Sequence, residues 1–161
     1  MRSLIVVHSY HHGNTARVAS AMARALGADI GEATTADPVE AGSHGLLGLG
    51  SGIDSGHHYA PLLEYARTLP HAAGRKAFIF STCGVPARFA GGEAFDAMVR
   101  RNHGDLRAIL VDKGFEVIGE WACVGFNSNS FLSLFGGLNR GRPDMKDLEE
   151  ATDFVRRLQI Y

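Results

Sequence analysis

The sequence predicts an α/β fold in which an open, doubly wound sheet of parallel strands carries crossover helices on both faces. Two observations support this. Short apolar runs alternate with amphipathic helical patterns along the 161-residue chain, as they do when crossover helices join parallel strands. Segments rich in Gly, Ser and Thr also stand at the carboxyl ends of three predicted strands, where open parallel sheets collect ligands.

The apolar run 4–7 is the first predicted strand, and it breaks into Ser9-Tyr10-His11-His12-Gly13-Asn14-Thr15. A helix is predicted over 18–26, with Val18, Met22, Ala25 and Leu26 on one face and Gly27 where a helix stop belongs. The second strand, 29–34, is short and interrupted by Gly31, and the topology asks for it more than its own pattern does. A strand over 46–49 precedes a glycine loop over 50–56, and a helix follows over 62–69. The next strand, 77–80, leads into a loop over 81–86. One long helix is expected over 95–113, since Phe95, Val99, Leu106 and Leu110 share a stripe and Gly114 ends it. The last strand is 117–124, and the irregular stretch 125–143 is longer than most loops in compact domains, a length associated with function. A final helix opens after Pro143 with Asp144 as N-cap and carries Leu148, Ala151, Val155 and Leu158 on one face. The overall expectation is five strands and about five helices in a single domain spanning 1–161.

Composition narrows the function classes. The net charge is −1, and Lys and Arg are scattered, so the electrostatic footprint of a nucleic-acid binder is missing. No apolar run approaches the length of a membrane span, and the N-terminus enters a strand pattern without the layout of a signal peptide. A soluble cytoplasmic protein is expected. Cys83 and Cys123 lie far apart and read as reduced thiols. The eight histidines include His11-His12 and His57-His58, but adjacent loop histidines with no carboxylate at helical spacing are poor metal ligands, and no metal site is expected.

The segment 9–15 has the character of an anion site. A buried strand ending in small and hydrogen-bonding residues before a helix aims backbone N–H groups and the positive helix end at one point. One glycine loop alone reads as turn chemistry. Three at strand carboxyl ends point instead to a flat ligand approached closely by backbone.

The residues Gly13-Asn14-Thr15, Gly50-Ser51-Gly52-Ile53, Phe80-Ser81-Thr82-Cys83-Gly84 and the tail Phe135-Gly136-Gly137-Leu138-Asn139-Arg140-Gly141-Arg142-Pro143 resemble the flavodoxin family nearly end to end. That resemblance implies a three-layer, five-stranded parallel sheet of order 2-1-3-4-5 with FMN as cofactor. Ser9, Tyr10, His11, His12, Gly13, Asn14 and Thr15 would surround the phosphate. Ser51, Gly52, Ile53, Asp54 and Tyr59, with Ser81, Thr82, Cys83 and Gly84, would flank the ring. No catalytic residue is implied, because the electron chemistry belongs to the flavin.

Three departures stand out. His11 and His12 replace the hydroxyl residues common in flavodoxins, which implies tighter FMN binding below pH 6.5. The usual ring-stacking aromatic gives way to Ile53-Asp54, with Tyr59 the nearest candidate. The near-neutral charge weakens the acidic steering of electron-carrier flavodoxins toward basic partners. The leading expectation is an electron-transfer protein serving a redox partner protein or a small-molecule acceptor. An FMN-dependent NAD(P)H reductase acting on a quinone or similar acceptor is the alternative, and a flavin-free binding or regulatory module is the third reading. The tail cluster Phe131, Leu132, Leu134 and Phe135 packs under its loop or forms a homodimer contact.

Overall fold

The computed structural model describes residues 2–10, 12–128 and 130–159. The strands are β1 (Ser3–His8), β2 (Asp29–Glu32), β3 (Leu46–Asp54), β4 (His57–His58), β5 (Lys76–Cys83) and β6 (Glu116–Val124). The helices are α1 (Asn14–Leu26), α2 (Pro38–Ala41), α3 (Ala60–Thr68), α4 (Gly92–Asn102), α5 (Gly104–Asp112) and α6 (Met145–Leu158). The parallel sheet runs β2-β1-β3-β5-β6, and β4 adds an antiparallel pairing to β3. This is the order expected for the five main strands, with the two-residue β4 unforeseen.

Helices cover both faces, so the central strands are buried on both sides and read as continuous apolar runs. On one face Leu4, Val6, Leu47, Leu49 and Ile79 pack against Leu62 and Tyr65 of α3 and Leu106 and Leu110 of α5. On the other, Ile5, Val7, Phe78 and Phe80 meet Val18 and Met22 of α1 and Phe154 and Val155 of α6.

Two segments expected to be loops are strand. β3 continues through Gly50, Ser51, Gly52, Ile53 and Asp54, and β5 continues through Ser81, Thr82 and Cys83. The glycines of β3 provide room. A Cβ on Gly48 or Gly50 would lie 2.3 Å from a ring carbon of Phe78 or Phe80 from β5, and one on Gly52 would lie 2.7 Å from the Tyr59 ring. The turn is confined to Ser55 (φ 51) and Gly56 (φ 84). Positive φ at both central residues matches the right-handed twist of a tight hairpin, which folds β4 back on β3.

The single helix expected over 95–113 is two. His103 separates them, with φ −84 and ψ −5, and each half serves a different cluster. Phe95 and Val99 pack on Cys83 and Val124, whereas Leu106 and Leu110 join the α3 side. The apolar stripe continues through the break, so periodicity could not reveal it. α2 was also unforeseen, although Asp37 caps it by accepting from Val39 N at 2.8 Å and Pro38 starts it. α6 opens as expected, with Asp144 and Asp147 forming a reciprocal capping box.

Candidate functional site

The carboxyl ends of β1, β3, β5 and β6 meet around a cavity of about 50 Å3 bordered by Ser9, Asn14, Thr15, Gly52, Thr82, Gly84 and Gly125, among others. No lining side chain is charged. α1 begins here. Its N-cap is Gly13, in the left-handed region at φ 65, so no side chain caps the helix from that position. Ser9 Oγ accepts from Ala16 N at 3.3 Å. Thr15 Oγ1 lies 2.8 Å from Thr82 Oγ1, tying α1 to β5. Hydroxyls, backbone N–H groups and a positive helix end, with no carboxylate beside them, suit an anion.

A second cleft of about 380 Å3 shares Tyr10, Ile53 and Tyr59 with the first and adds His8, Asp54, Ala60 and Pro61. Its volume is within the range of small-molecule sites. Tyr59 holds the boundary: its ring covers Gly52 and meets the His8 ring edge-on with centroids 5.9 Å apart. Burial, with Asp54 nearby, pushes the Tyr59 hydroxyl up from its ordinary pKa, so it stays protonated. His8 Nδ1 is paired to Glu32 Oε1 at 2.7 Å.

The tail 125–143 forms the third wall, and the sequence did not reveal how. Asn14 Nδ2 donates to Phe126 O at 2.8 Å. Asn139, with φ 58, donates through Nδ2 to Val85 O at 2.7 Å and Gly125 O at 3.1 Å and accepts from Ala87 N at 2.8 Å. One amide thus joins the tail to the segment after β5. Asn139→Ala is expected to cost about 2–3 kcal/mol, since three bonds are lost and a Cβ residue stays in the left-handed region. Urea unfolding measures that loss, and faster hydrogen exchange at Ala87 N should accompany it.

The predicted site residues separate into three groups. Ser9, Tyr10, Asn14, Thr15, Gly52, Ile53, Tyr59, Thr82, Cys83 and Gly84 border the small cavity, and Asp54 borders only the larger cleft. Gly13 caps α1 beside them. His12 turns to the tail, with Nε2 2.6 Å from Ser128 Oγ and its ring 4.4 Å from that of Phe126. Its imidazole does not border the small cavity, so an effect of its charge on a ligand would pass through that contact. His11 lies outside the described residues. Burial pushes the Cys83 thiol up, so it stays a protonated wall residue.

Ser51 and Ser81 face inward, into a buried network. Ser51 Oγ lies 2.8 Å from His58 Nδ1, donates to Gly52 O at 2.7 Å and accepts from Tyr59 N at 3.1 Å. The His58 and His103 rings are 4.9 Å apart. His103, fully buried, places Nε2 2.8 Å from Ser81 Oγ and Nδ1 3.0 Å from Glu120 Oε2. Arg107 grips the same carboxylate with Nε and Nη2. Burial, and then the neighbouring His103, hold the His58 pKa well below the ordinary histidine value. The network stands directly behind Gly52, so it fixes one edge of the cleft from within.

This sheet order, with a helix start and four strand ends around a polar cleft, defines a flavodoxin-like fold. A flavodoxin from the domain Archaea superposes with a TM-score of 0.68 at 15% identity, covering 96% of this chain and 94% of its own. The apo form of an NADH:FMN oxidoreductase superposes with a TM-score of 0.61 at 20% identity, covering 97% and 89%. No protein-family model matches the sequence. The chain belongs to the same family as the uncharacterized protein MJ0298 of Methanocaldococcus jannaschii, with which it shares 34% identity over 158 residues, 98% of each chain.

Proposed function

We propose that the protein binds FMN and acts in electron transfer. The observation that carries this reading is the uncharged small cavity at the start of α1, which shares Tyr10, Ile53 and Tyr59 with a cleft of about 380 Å3. The fold likeness to flavodoxins supports it. Asn14 and Thr15 backbone N–H groups, with the Thr15 hydroxyl, hold the phosphate. No cationic side chain is needed, because the helix end and the donors stabilise the dianion. Backbone at Gly52 and Gly84 meets the polar edge of the ring, and Tyr59 and Tyr10 flank it. The bound flavin supplies the redox chemistry, and the chain sets its surroundings.

The test is the visible spectrum of the purified protein followed by titration of the flavin-free form with FMN. A colourless protein with no FMN affinity overturns the proposal. Thr15→Val is expected to weaken FMN binding about tenfold, the equivalent of one hydrogen bond to a charged group. Riboflavin, which lacks the phosphate, should bind wild type and variant equally in the same fluorescence titration.

A second reading is favoured by the fold likeness to an NADH:FMN oxidoreductase. It makes the protein an FMN-dependent NAD(P)H reductase. Rapid anaerobic bleaching of bound flavin by NADPH without another enzyme would select it.

A further inference from the structure

The proposed FMN site leaves one histidine of the cleft unused: His8, the last residue of β1. Leu4 and Val6 pack on the α3 side of the sheet, and Ile5 and Val7 on the α1 side. Alternation along the strand therefore places His8 on the α3 side, where its ring meets that of Tyr59 and borders the cleft of about 380 Å3. Sheet register brings a carboxylate to it. Val7 pairs with Glu32 at the end of β2, Ala33 N donates to Val7 O at 3.0 Å, and Glu32 Oε1 stands 2.7 Å from His8 Nδ1.

That pair decides the tautomer. An ionised carboxylate only accepts, so Nδ1 carries the shared proton and Nε2 is left as the reactive nitrogen. Among the described residues Nε2 has no hydrogen-bond partner, and it is not sealed from solvent. An imidazole oriented through Nδ1 by a carboxylate, with Nε2 open, is the arrangement of a general acid or base. The rest of the cleft selects for an uncharged occupant. Near neutral pH only Asp54 and His8 among its lining side chains can carry charge. An anion there would meet Asp54, while the charge of a protonated His8 is already offset by Glu32. Ile53, Pro61 and the rings of Tyr10 and Tyr59 provide apolar wall for a planar molecule.

We infer that His8 is a proton-transferring catalytic residue, with Glu32 as its positioning residue, for an uncharged quinone-type acceptor that enters this cleft. Reduction of such an acceptor to the hydroquinone takes two electrons and two protons. The acceptor gains the two electrons and one proton from reduced flavin, and the second proton from Nε2 of protonated His8. The ring is left neutral with Nδ1–H on Glu32, and solvent returns the proton to Nε2. The electron source rests on the function proposed above, whereas the dyad and the preference for an uncharged ligand rest on the geometry and charge of the cleft alone.

The test has two arms. Isotopically labelled protein without added flavin is titrated with duroquinone, which is uncharged and has no ring hydrogen to lose to a thiol, and with anthraquinone sulfonate as anionic counter-probe. Duroquinone should shift the His8 ring and the amides of Tyr10, Asp54 and Tyr59, and the sulfonate should not. Ring nitrogen shifts should place the His8 proton on Nδ1 in the wild type and divide it between the two nitrogens in Glu32→Ala. In the second arm, photoreduced FMN-loaded protein is mixed anaerobically with each acceptor and flavin absorbance is followed. His8→Gln keeps a side-chain N–H for Glu32 but has no proton to transfer. It should slow reoxidation by duroquinone at least about a hundredfold relative to reoxidation by ferricyanide, which takes an electron and no proton. Absence of duroquinone shifts at His8, equal shifts from the sulfonate, or a rate ratio unmoved in His8→Gln overturns the inference. Because the first arm is recorded without flavin, failure of FMN binding is a separate result.

Discussion

Glu120→Ala is expected to cost about 2–3 kcal/mol, since a half-buried carboxylate that holds both His103 and Arg107 is removed. The change strips His103 Nδ1 of its partner at 3.0 Å and Arg107 Nη2 of its partner at 2.8 Å. It leaves a fully buried imidazole half-satisfied. Urea unfolding near neutral pH measures the loss, and a change under 1 kcal/mol would show that solvent replaces the carboxylate. The variant Glu120→Gln preserves shape and separates charge from packing.

The same residue predicts a pH profile. Burial alone would raise the Glu120 pKa, but hydrogen bonds from Arg107 and His103 outweigh it and bring the value down to about 2 from an ordinary 4.5. A depressed carboxyl pKa contributes stability that is complete above the unfolded value and is lost as pH falls through the folded one. The wild type should therefore weaken as pH drops from 4.5 toward about 2, by up to about 3 kcal/mol, and Glu120→Gln should lack that segment. His58 adds a separate segment. Its depressed value means that stability is complete above the ordinary 6.5 and declines as pH falls below it. His58→Gln should flatten the upper segment while leaving the lower one.

Gly50→Val is expected to cost about 3 kcal/mol, at the upper end for forced overpacking. β3 and β5 pair in parallel with Gly50 opposite Phe80, and the fully buried ring of Phe80 lies where a side chain on residue 50 would stand. Neither strand can move away, because β3 is bonded to β1 on its other side and β5 to β6. Thermal or urea unfolding reads the loss directly. Phe80→Ala in the Gly50→Val background should be less damaging than the two single losses added together, since contacting sites couple. Gly104→Ala is the contrast, because a Cβ there meets no atom within 4 Å and stability should hold or rise slightly.

The Gly50 result bears on how much the sequence conveys. The β1 run and the patterns of α1, α3 and α6 were legible because burial of a strand or of one helix face imposes a short-range period. The passage from strand to helix over 9–15 was legible for a similar reason, since strand, turn and helix start are consecutive and Asn14 and Thr15 follow Gly13 directly. Gly48, Gly50 and Gly52 suggested a loop because glycine has one appearance in sequence and two uses in structure. It permits a turn, as at Gly56, or leaves room for a ring from another segment, as with Phe78, Phe80 and Tyr59.

Asn139 stands within the tail motif, yet its role in fastening the tail to Val85 and Ala87 was invisible because that acceptor and that donor come from another segment. The break at His103 was hidden for a related reason. The apolar stripe runs through it unbroken, and the partners of the His103 ring at the break, Ser81 on β5 and Glu120 on β6, come from distant segments.

By itself the sequence determined the layered α/β architecture and, through its family resemblance, the strand order. Each follows from patterns spanning one element or one turn. Tertiary structure alone decided which serines border the cavity and which face histidines, what the β3 glycines make room for and how the tail borders the cleft. Those outcomes depend on which side chain from a distant segment arrives opposite, and packing geometry sets that choice once the sheet has assembled.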